Sequence, residues 1–210
     1  LDVTNPGSFQ KTDVLWDRTV DAGDLDMGFI LGKPVIAKVD GLGWRVITGN
    51  GVNSSNERAV LYIIDPATGA IDAKIDTGAG SSTQSNGLSS PAVYDVDGDG
   101  DMDLVVASED DFKVGWFENL DGQGSFGIQK VISSNAFKAF LVVPGDIDGD
   151  GDIDLLSANN EVGLGTIMWY ENLDGLGNFS EGNVITTNTF ESFKALTLED
   201  FDGDNDLDLL

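Results

Sequence analysis

The sequence predicts an all-β protein, and three observations support this prediction. A segment of about 50 residues repeats along the chain. Each copy contains short runs of apolar and β-branched residues, separated by turn residues rich in Asp, Asn and Gly. No stretch shows the periodicity of an amphipathic helix. Together these features favour a chain of short antiparallel strands.

Two landmarks define the repeat. The first is an acidic run, whose three copies are Asp95–Asp103, Asp146–Asp154 and Asp200–Asp208, offset by 51 and 54 residues. The second is an aromatic and turn motif ending in Glu-Asn-Leu-Asp-Gly, in which Trp116 and Trp169 lie 53 residues apart. Because both landmarks keep nearly the same spacing, they indicate one structural unit that is repeated.

Each acidic unit contains four candidate strands. In the first unit they are Ala92–Tyr94, Leu104–Ala107, Val114–Phe117 and Phe126–Ile132. In the second they are Phe140–Val143, Leu155–Ala158, Thr166–Tyr170 and Phe179–Ile185. Four strands in a repeat of about 50 residues are typical of a β-propeller blade. We therefore predict a partial β-propeller of four-stranded antiparallel blades, with Asp-rich loops between the first two strands.

The N-terminal part contains a variant of this unit. The segment Lys33–Gly41 aligns with Ser90–Gly98, but Lys38 stands where the acidic loop has its first Asp. We therefore expect a blade without an acidic site, whose later strands are Trp44–Thr48, Ala59–Ile64 and Ala70–Ile75. Val14–Asp17 is expected to be the outer strand of a preceding blade, and Gly78–Ser90 a linker rich in Gly and Ser.

The spacing of the carboxylates predicts a Ca²⁺ site in each acidic run. Positions 1, 3, 5 and 9 offer Asp side chains, position 6 is a turn-forming Gly or Asn, and position 7 offers its backbone carbonyl. Oxygen ligands in a flexible ring suit Ca²⁺ better than Mg²⁺. The predicted side-chain ligands are Asp95, Asp97, Asp99, Asp103, Asp146, Asp148, Asp150, Asp154, Asp200, Asp202, Asp204 and Asp208. The predicted carbonyl ligands are Asp101, Asp152 and Asp206.

The acidic runs have two alternative interpretations. An EF-hand needs Glu at position 12 and flanking helices, but this position holds Val106 in the first run and Ser157 in the second. The EF-hand is therefore excluded. A solvated acidic turn that binds no specific ion remains open. If ions bind, we expect them to be structural, because a loop that fills every ligand position leaves little room for a substrate.

The predicted organisation has five parts. Residues 1–24 form the outer strand of a preceding blade and a linker, and residues 25–80 form the variant blade. Residues 81–135 and 136–190 are two Ca²⁺-binding blades, and residues 191–210 begin a further one that is truncated. Since the sequence begins at Leu1 rather than Met, we expect a processed or partial segment.

The composition excludes several classes of function. The chain has 210 residues, with 37 Asp and Glu against 11 Lys and Arg, a net charge of −26, and neither His nor Cys. This excludes His-based dyads, zinc–thiolate sites and disulfides. The negative charge opposes binding to nucleic acids and to anionic membranes. No apolar run of about 20 residues suggests membrane insertion, and no nucleophile–base pair or phosphate-binding loop is visible, so we expect no enzyme activity.

The recurring aromatic and acidic residues of the second landmark have two interpretations each. Trp116, Phe117, Trp169 and Tyr170 could form a sugar-stacking platform, but their regular recurrence favours packing between blades. Glu118 and Glu171 could form a catalytic pair, but their place in a turn favours hydrogen bonding to the backbone.

The residues resemble two known families. The segment from about Phe112 to Leu210 resembles VCBS/FG-GAP repeats, which are calcium-binding propeller blades, through DxDGDGDxDL followed by WYENLDGxGxF. The segment from about Val14 to Ser108 is similar to the C-terminal propeller domain of PilY-type pilus-tip adhesins. The phrases that show this are LGKPVIAKVDGLGWRVITGNGVNSSN, AVLYIIDPATGAI and IDTGAGSSTQSNGLSSPAVYDVDGDGDMDL.

These resemblances imply a secreted or cell-surface bacterial protein that uses a Ca²⁺-loaded propeller, with about three sites, in adhesion or pilus function. Its partners would be pilus subunits, host or surface glycans, or other surface proteins. The alternative is a non-catalytic carbohydrate-binding or scaffold propeller of a larger secreted protein. A third class, a quinone-dependent dehydrogenase, is suggested by the segment LYIIDPATG.

Overall fold

The computed structural model describes residues 14–17, 23–30, 32–39, 41–83, 85–161, 164–188, 193 and 195–210. Over these ranges the strands form three four-stranded sheets and one two-stranded sheet, all antiparallel. Every strand pairs with its neighbour in sequence, so each sheet is a simple meander. Within the same ranges, no helix has both the length and the apolar character that a membrane crossing requires.

The strands follow the repeat closely. The first sheet contains β1 (Val35–Val39), β2 (Gly43–Gly49), β3 (Arg58–Ile64) and β4 (Ile71–Gly80). The second contains β5 (Ala92–Tyr94), β6 (Asp103–Ser108), β7 (Lys113–Phe117) and β8 (Lys130–Ser133). The third contains β9 (Ala139–Gly145), β10 (Asp154–Glu161), β11 (Leu164–Tyr170) and β12 (Asn183–Asn188), and the fourth contains β13 (Leu198–Glu199) and β14 (Asp208–Leu209). The predicted all-β fold with four-stranded antiparallel sheets is confirmed.

The sheets stack face to face in chain order, and β6 shows why. All six of its residues are buried, and successive side chains of a strand point to opposite faces. Leu104 and Val106 pack into the core shared with the first sheet, which contains Leu61. Val105 packs on the other face, in the core shared with Tyr170 of the third sheet. A strand that is covered on both faces reads as a continuous apolar run, which is what this segment shows.

The last strand of each acidic unit is shorter than the sequence predicts. Phe126 does not belong to β8 but forms an isolated bridge with Asn119, and Phe179 forms the same bridge with Asn172. These bridges close the Asn-Leu-Asp-Gly turn at its base. One further backbone hydrogen bond follows each bridge, from Gly127 to Glu118 and from Ser180 to Glu171, and regular strand pairing begins only at Lys130 and Asn183.

Val14–Asp17 forms no strand, in contrast to the prediction. The indole Nε1 of Trp16 instead donates a hydrogen bond of 2.7 Å to the carbonyl of Pro66. The ring also lies against Gly69, where a Cβ would collide with it. A contact with the turn after β3 thus fixes this segment without strand pairing. The rest of the predicted first part, residues 1–13 and 18–22, lies outside the described residues.

The predicted linker Gly78–Ser90 is partly ordered by the core. Strand β4 continues to Gly80, and Leu88 forms isolated bridges with both Gly51 and Ser108. The side chain of Leu88 is buried in the core between the first two sheets. This segment therefore fastens the two sheets together, although Gln84 within it lies outside the described residues.

Candidate metal centre

Each acidic run connects the first and second strands of its sheet. The loops follow β5, β9 and β13 and lead into β6, β10 and β14. At the sixth position, Gly100 and Gly151 have φ angles of +95° and +97°. Asn205 holds this position in the third loop with a φ of +75°. Asn205 thus adopts the left-handed backbone of the two glycines, a region that Asn tolerates better than other non-Gly residues.

One hydrogen bond recurs in all three loops. The backbone N–H at the sixth position donates to the carboxylate at the first, over 3.1 Å in each loop; the pairs are Gly100 with Asp95, Gly151 with Asp146, and Asn205 with Asp200. This hydrogen bond holds the first and sixth positions of the loop close together. The three loops therefore share a common local geometry.

Three carboxylates converge within each loop. One oxygen from each lies within 4.8 Å of the others, and the groups are Asp95, Asp97 and Asp99; Asp146, Asp148 and Asp150; and Asp200, Asp202 and Asp208. Ca²⁺ binds oxygen at about 2.3–2.6 Å, so ligands on opposite sides of one ion are about 5 Å apart. The spacing of each group fits a single shared Ca²⁺ ion.

The first loop contains carboxylate oxygens that lack a hydrogen-bond partner. Oδ1 of Asp95 and Oδ1 of Asp97 are buried, and neither accepts a hydrogen bond from the described residues. An unsatisfied buried acceptor costs about 1–3 kcal/mol, and a charged one costs more. A cation held between these oxygens would supply the missing interaction. The donor set therefore fits a hard divalent ion.

The charges of the loops are not balanced by side chains nearby. Burial raises the pKa of Asp97, and the charge of Asp99 raises it further. The pKa of Asp152 is likewise raised, by desolvation and by the charge of Asp150. Within the described ranges, no Lys or Arg forms an ion pair with any of the nine converging carboxylates. Like charges held this close repel one another, and a bound cation would relieve that repulsion.

The ninth position closes the first loop through the backbone. Asp103 is fully buried, and its two oxygens accept hydrogen bonds from the N–H groups of Val96 (2.9 Å) and Asn119 (2.8 Å). Burial raises the pKa of Asp103 to about 6, although these hydrogen bonds act in the opposite direction. The residue thus joins the start of the acidic loop to the turn that follows β7.

The ninth-position Asp accepts a hydrogen bond from the second-position N–H in all three loops: Val96 to Asp103 (2.9 Å), Ile147 to Asp154 (3.3 Å) and Phe201 to Asp208 (3.0 Å). Its other contacts differ. Asp154 also accepts hydrogen bonds from the N–H of Asn172 (2.8 Å) and the indole of Trp169 (3.1 Å). Asp208 joins the converging group of the third loop in place of Asp204. A carboxylate oxygen has a second lone pair for a metal. The assignment of Asp103 and Asp154 as ligands therefore stays a prediction.

The seventh position contacts the neighbouring turn. The N–H groups of Asp101, Asp152 and Asp206 donate to the carboxylates two residues earlier, over 2.9, 2.9 and 3.2 Å. The side chain of Asp101 lies against Gly122, which has a φ of +64° and leaves no space for a Cβ. Asp152 lies against Gly175 in the same way. The role of these three backbone carbonyls as ligands stays a prediction.

Two buried asparagines, Asn119 and Asn172, complete the loops and are absent from the predicted site. Each backbone N–H donates to the ninth-position Asp of its own sheet. Each side-chain Nδ2 donates over 3.2 Å to the carbonyl of the loop's eighth residue, Met102 or Ile153. The sequence repeat could have identified both asparagines, because they occupy the same place in the repeated Glu-Asn-Leu-Asp-Gly motif.

The aromatic residues of the motif form the core. Trp116, Phe117 and Tyr170 are no more than 1% exposed, which leaves no surface for stacking on a sugar. Glu118 forms an ion pair of 2.6 Å with Lys130, rather than the backbone hydrogen bond expected for its side chain. The interpretation as packing between blades therefore holds for these three aromatic residues.

Stacked four-stranded meanders with acidic hairpins define the class of protein as a β-propeller. A solved structure has the same fold, namely the crystal structure of the Pseudomonas aeruginosa PilY1 C-terminal domain. Its TM-score is 0.59 at 22% sequence identity, and the match covers 78% of this chain and 42% of that chain. At this identity the likeness concerns the fold alone, and it confirms the predicted partial propeller.

The family follows from the sequence. The family described as "PilY1 beta-propeller domain" matches residues 2–138, and the family described as "FG-GAP-like repeat" matches residues 146–210. Because the first match covers more than half of the chain, the chain belongs to the PilY1 β-propeller domain family. Both predicted resemblances are confirmed, although the FG-GAP match begins at residue 146 rather than near Phe112. The PilY1 match extends past Ser108 and includes the first acidic loop.

Curated relatives support the same assignment. A type IV pilus biogenesis factor PilY1 homolog from Xylella fastidiosa is 40% identical over 131 residues, which is 59% of this chain and 9% of the relative. Type IV pilus biogenesis factor PilY1 from Pseudomonas aeruginosa strain PAO1 is 40% identical over 109 residues, or 52% of this chain and 9% of the relative. The chain therefore spans about a tenth of the length of these relatives.

Proposed function

We propose that this chain is a Ca²⁺-stabilised part of a β-propeller that serves in adhesion or recognition as part of type IV pilus function. The observation that carries the calcium proposal is the convergence of three carboxylates in every acidic loop, with buried, unpartnered oxygens on Asp95 and Asp97. The pilus proposal is supported by the curated relatives, which are pilus biogenesis factors.

The proposed ion is structural. The converging carboxylates would hold it, the ninth-position Asp would close the loop, and the seventh residue would add its carbonyl. When bound, Ca²⁺ supplies the positive charge that the loops lack. All of these ligands come from one hairpin, so the ion would fasten the first two strands of a blade. We propose no catalytic step.

The proposed division of the chain follows the sheets. The variant blade is assigned to residues 25–80, the two Ca²⁺-binding blades to residues 81–135 and 136–190, and the start of a further blade to residues 191–210. Each four-stranded sheet falls inside one of these units. Residues 1–24 precede these units, and within them Trp16 contacts the turn after β3 of the variant blade.

The proposed location is the bacterial surface or exterior. Extracellular Ca²⁺ is millimolar and would saturate sites with a Kd of about 10⁻⁴ M, whereas cytosolic Ca²⁺ would not. The proposed partners are pilus subunits, glycans of a host or surface, and other surface proteins. The net charge of −26 speaks against nucleic acid as a partner.

Isothermal titration calorimetry tests the calcium proposal. The chain is stripped with EDTA, dialysed and titrated with Ca²⁺. We expect about three bound ions with dissociation constants of millimolar or below. A chain that takes up no Ca²⁺ at millimolar concentration would overturn the calcium proposal.

A binding assay tests the pilus proposal separately. Purified type IV pilus fibres are incubated with the chain at millimolar Ca²⁺ and, in parallel, with EDTA. Capture that occurs only with Ca²⁺ is expected. If the fibres capture no chain although calorimetry shows bound Ca²⁺, pilus subunits are excluded as direct partners of this segment.

A further inference from the structure

We propose that Asn172 couples the first two acidic loops, so that Ca²⁺ binding to one loop strengthens binding to the other. This rests on the calcium binding proposed above. It adds a positioning residue and an interaction between sites that lie in different sheets. The third loop is outside this coupling.

The side chain of Asn172 lies between the two loops and is completely buried. Its Nδ2 donates to the carbonyl of Ile153 in the second loop over 3.2 Å. The same Nδ2 donates to the carbonyl of Val96 in the first loop over 3.0 Å, across 76 residues of sequence. Its Oδ1 accepts a hydrogen bond of 3.1 Å from the N–H of Gly177. One amide group therefore uses both N–H bonds to join two acidic loops.

Both acceptor carbonyls belong to residues flanked by predicted ligands. Val96 lies between Asp95 and Asp97, the two residues with unpartnered buried oxygens. Ile153 lies between Asp152 and Asp154. Because the peptide unit is planar, a shift of the Val96 carbonyl also moves the backbone that carries Asp97. The length of the hydrogen bond to Asn172 therefore depends on the conformation of the first loop.

Close packing restricts movement where the first acidic loop meets the turn that contains Asn172. The ring of Trp116, in the second sheet, lies against Gly177 of the third sheet, where a Cβ would collide with it. Gly98 of the first loop faces the carbonyl of Gly175, at 3.5 Å from the position of a Cβ. Close-packed contacts of this kind transmit a displacement rather than absorb it.

The coupling follows from charge and hydrogen bonding. Without a cation, repulsion among the carboxylates of the first loop favours expansion of the loop and so weakens the hydrogen bond between Asn172 and the Val96 carbonyl. Ca²⁺ binding stabilises the closed loop and strengthens this hydrogen bond, which holds Asn172 in place toward Ile153 and Asp154 of the second loop. By linkage, the second ion must help the first by the same factor. One buried hydrogen bond corresponds to a coupling of about fivefold in affinity.

Asn119 provides a matched control. It makes the same contacts within its own sheet, with its N–H on Asp103, its Nδ2 on Met102 and its Oδ1 accepting from Gly124. In the part of the chain that the structure describes, it makes no hydrogen bond to the sheet before it. Asn119 therefore has the local role of Asn172 without the connection between loops.

The test uses the glycine amides of the loops as separate reporters. Gly100, Gly151 and Gly203 each lie in one acidic loop, and their ¹H–¹⁵N signals are followed as the whole chain is titrated with Ca²⁺. Removing the first site with Asp97→Asn and Asp99→Asn should weaken Ca²⁺ binding at Gly151 about fivefold and leave Gly203 unchanged. In an Asn172→Ser background this weakening should disappear, whereas Asn119→Ser should preserve it.

The outcomes separate the two proposals. If no glycine signal responds to millimolar Ca²⁺, the calcium proposal fails and the coupling fails with it. If all three loops bind Ca²⁺ but loss of the first site leaves the Gly151 affinity unchanged, the coupling is overturned and calcium binding stands. Should Asn172→Ser fail to fold, the loss of the first site in the otherwise wild-type chain still decides whether the loops are coupled, and the reciprocal experiment must agree with it. Asp148→Asn with Asp150→Asn should weaken binding at Gly100 by the same factor, and an unchanged affinity overturns the coupling.

Discussion

The first and second sheets are the same four-stranded meander, but they connect their first two strands in different ways. In the first sheet, β1 and β2 are joined by residues 40–42, and the N–H of Leu42 donates to the carbonyl of Val39 over 3.1 Å. Asp40 lies outside the described residues. In the second sheet, β5 and β6 are joined by the acidic residues 95–102. A short turn and a long acidic loop thus produce the same pairing of strands.

The charges of the two sheets differ as well. Carboxylates on and beside the first sheet have cationic partners, in the pairs Asp72 with Arg45, Asp76 with Arg58, and Asp24 and Asp26 with Lys74. The converging carboxylates of the other sheets have no such partner among the described residues. Ion pairs therefore offset the carboxylates of the first sheet, whereas no cationic side chain in the described ranges offsets the converging carboxylates of the acidic loops. A bound cation is the proposed source of that missing charge.

Removal of Ca²⁺ should destabilise the sheets with acidic loops much more than the first sheet. Each ion present at a hundredfold excess over its Kd stabilises the folded chain by about 2.7 kcal/mol. Excess EDTA should therefore lower the Tm, measured by differential scanning calorimetry, by many degrees. Hydrogen exchange in EDTA should open β5, β6, β9 and β10 first, while β3 of the first sheet stays protected. An unchanged melting curve would contradict the account.

Neutralising one loop should remove one ion. The Asp97→Asn and Asp99→Asn double variant should bind two Ca²⁺ ions in place of three by calorimetry. The control is Asp76→Asn in the first sheet, which removes an exposed ion pair with Arg58 and should cost less than about 1 kcal/mol. This control should still bind three ions. Equal loss of Ca²⁺ from both variants would show that binding follows net charge rather than loop geometry.

A methyl group at Gly122 should cost more than one at Gly43. Both glycines have positive φ angles, +64° and +79°, but the space at Gly43 is open whereas that at Gly122 is filled by the Asp101 carboxylate. Gly43→Ala should lose about 1 kcal/mol from backbone strain. Gly122→Ala should lose about 2–3 kcal/mol, measured by urea unfolding. Equal losses would mean that Asp101 moves away freely.

The smallest expected effect is a pH dependence in the first sheet. Burial opposes ionisation of Asp24, but hydrogen bonds from Lys74 and Tyr62 outweigh it and lower the pKa of Asp24 below its usual value. A lowered pKa stabilises the fold above the unfolded value of about 3.9, and this stability is lost as the pH falls through the folded value. The difference in unfolding free energy between the wild type and Asp24→Asn should therefore be constant near neutral pH and shrink below about pH 4. A difference that persists at pH 2 would contradict this cause.

Much of the fold was predictable because the repeat is local. Apolar runs such as Leu104–Ala107 sit next to turn residues, and that contrast is enough to place a strand. The predictions are wrong where contacts between residues distant in sequence determine the local structure. Trp16 is held by a turn 50 residues away, and Leu88 is buried between two sheets, so neither segment follows its local pattern.

The sequence predicts which loops contain the site, but not the contacts of every side chain within them. The alternation of Asp with turn residues predicts where carboxylate oxygens converge, and the turn-forming residues Gly100, Gly151 and Asn205 do have positive φ angles. The sequence does not show that Asp208 joins the converging group of its loop whereas Asp103 does not, although both accept a hydrogen bond from the N–H at the second loop position. The bond from Asn172 to Val96 spans two sheets, which no local spacing can reveal.

The most direct test of the calcium sites is anomalous diffraction from crystals of the chain grown at saturating Ca²⁺. The account predicts one peak in each acidic loop, among Asp95, Asp97 and Asp99, among Asp146, Asp148 and Asp150, and among Asp200, Asp202 and Asp208. Oxygens should lie at about 2.3–2.6 Å from each peak. Acidic loops that show no anomalous density under these conditions would contradict the account.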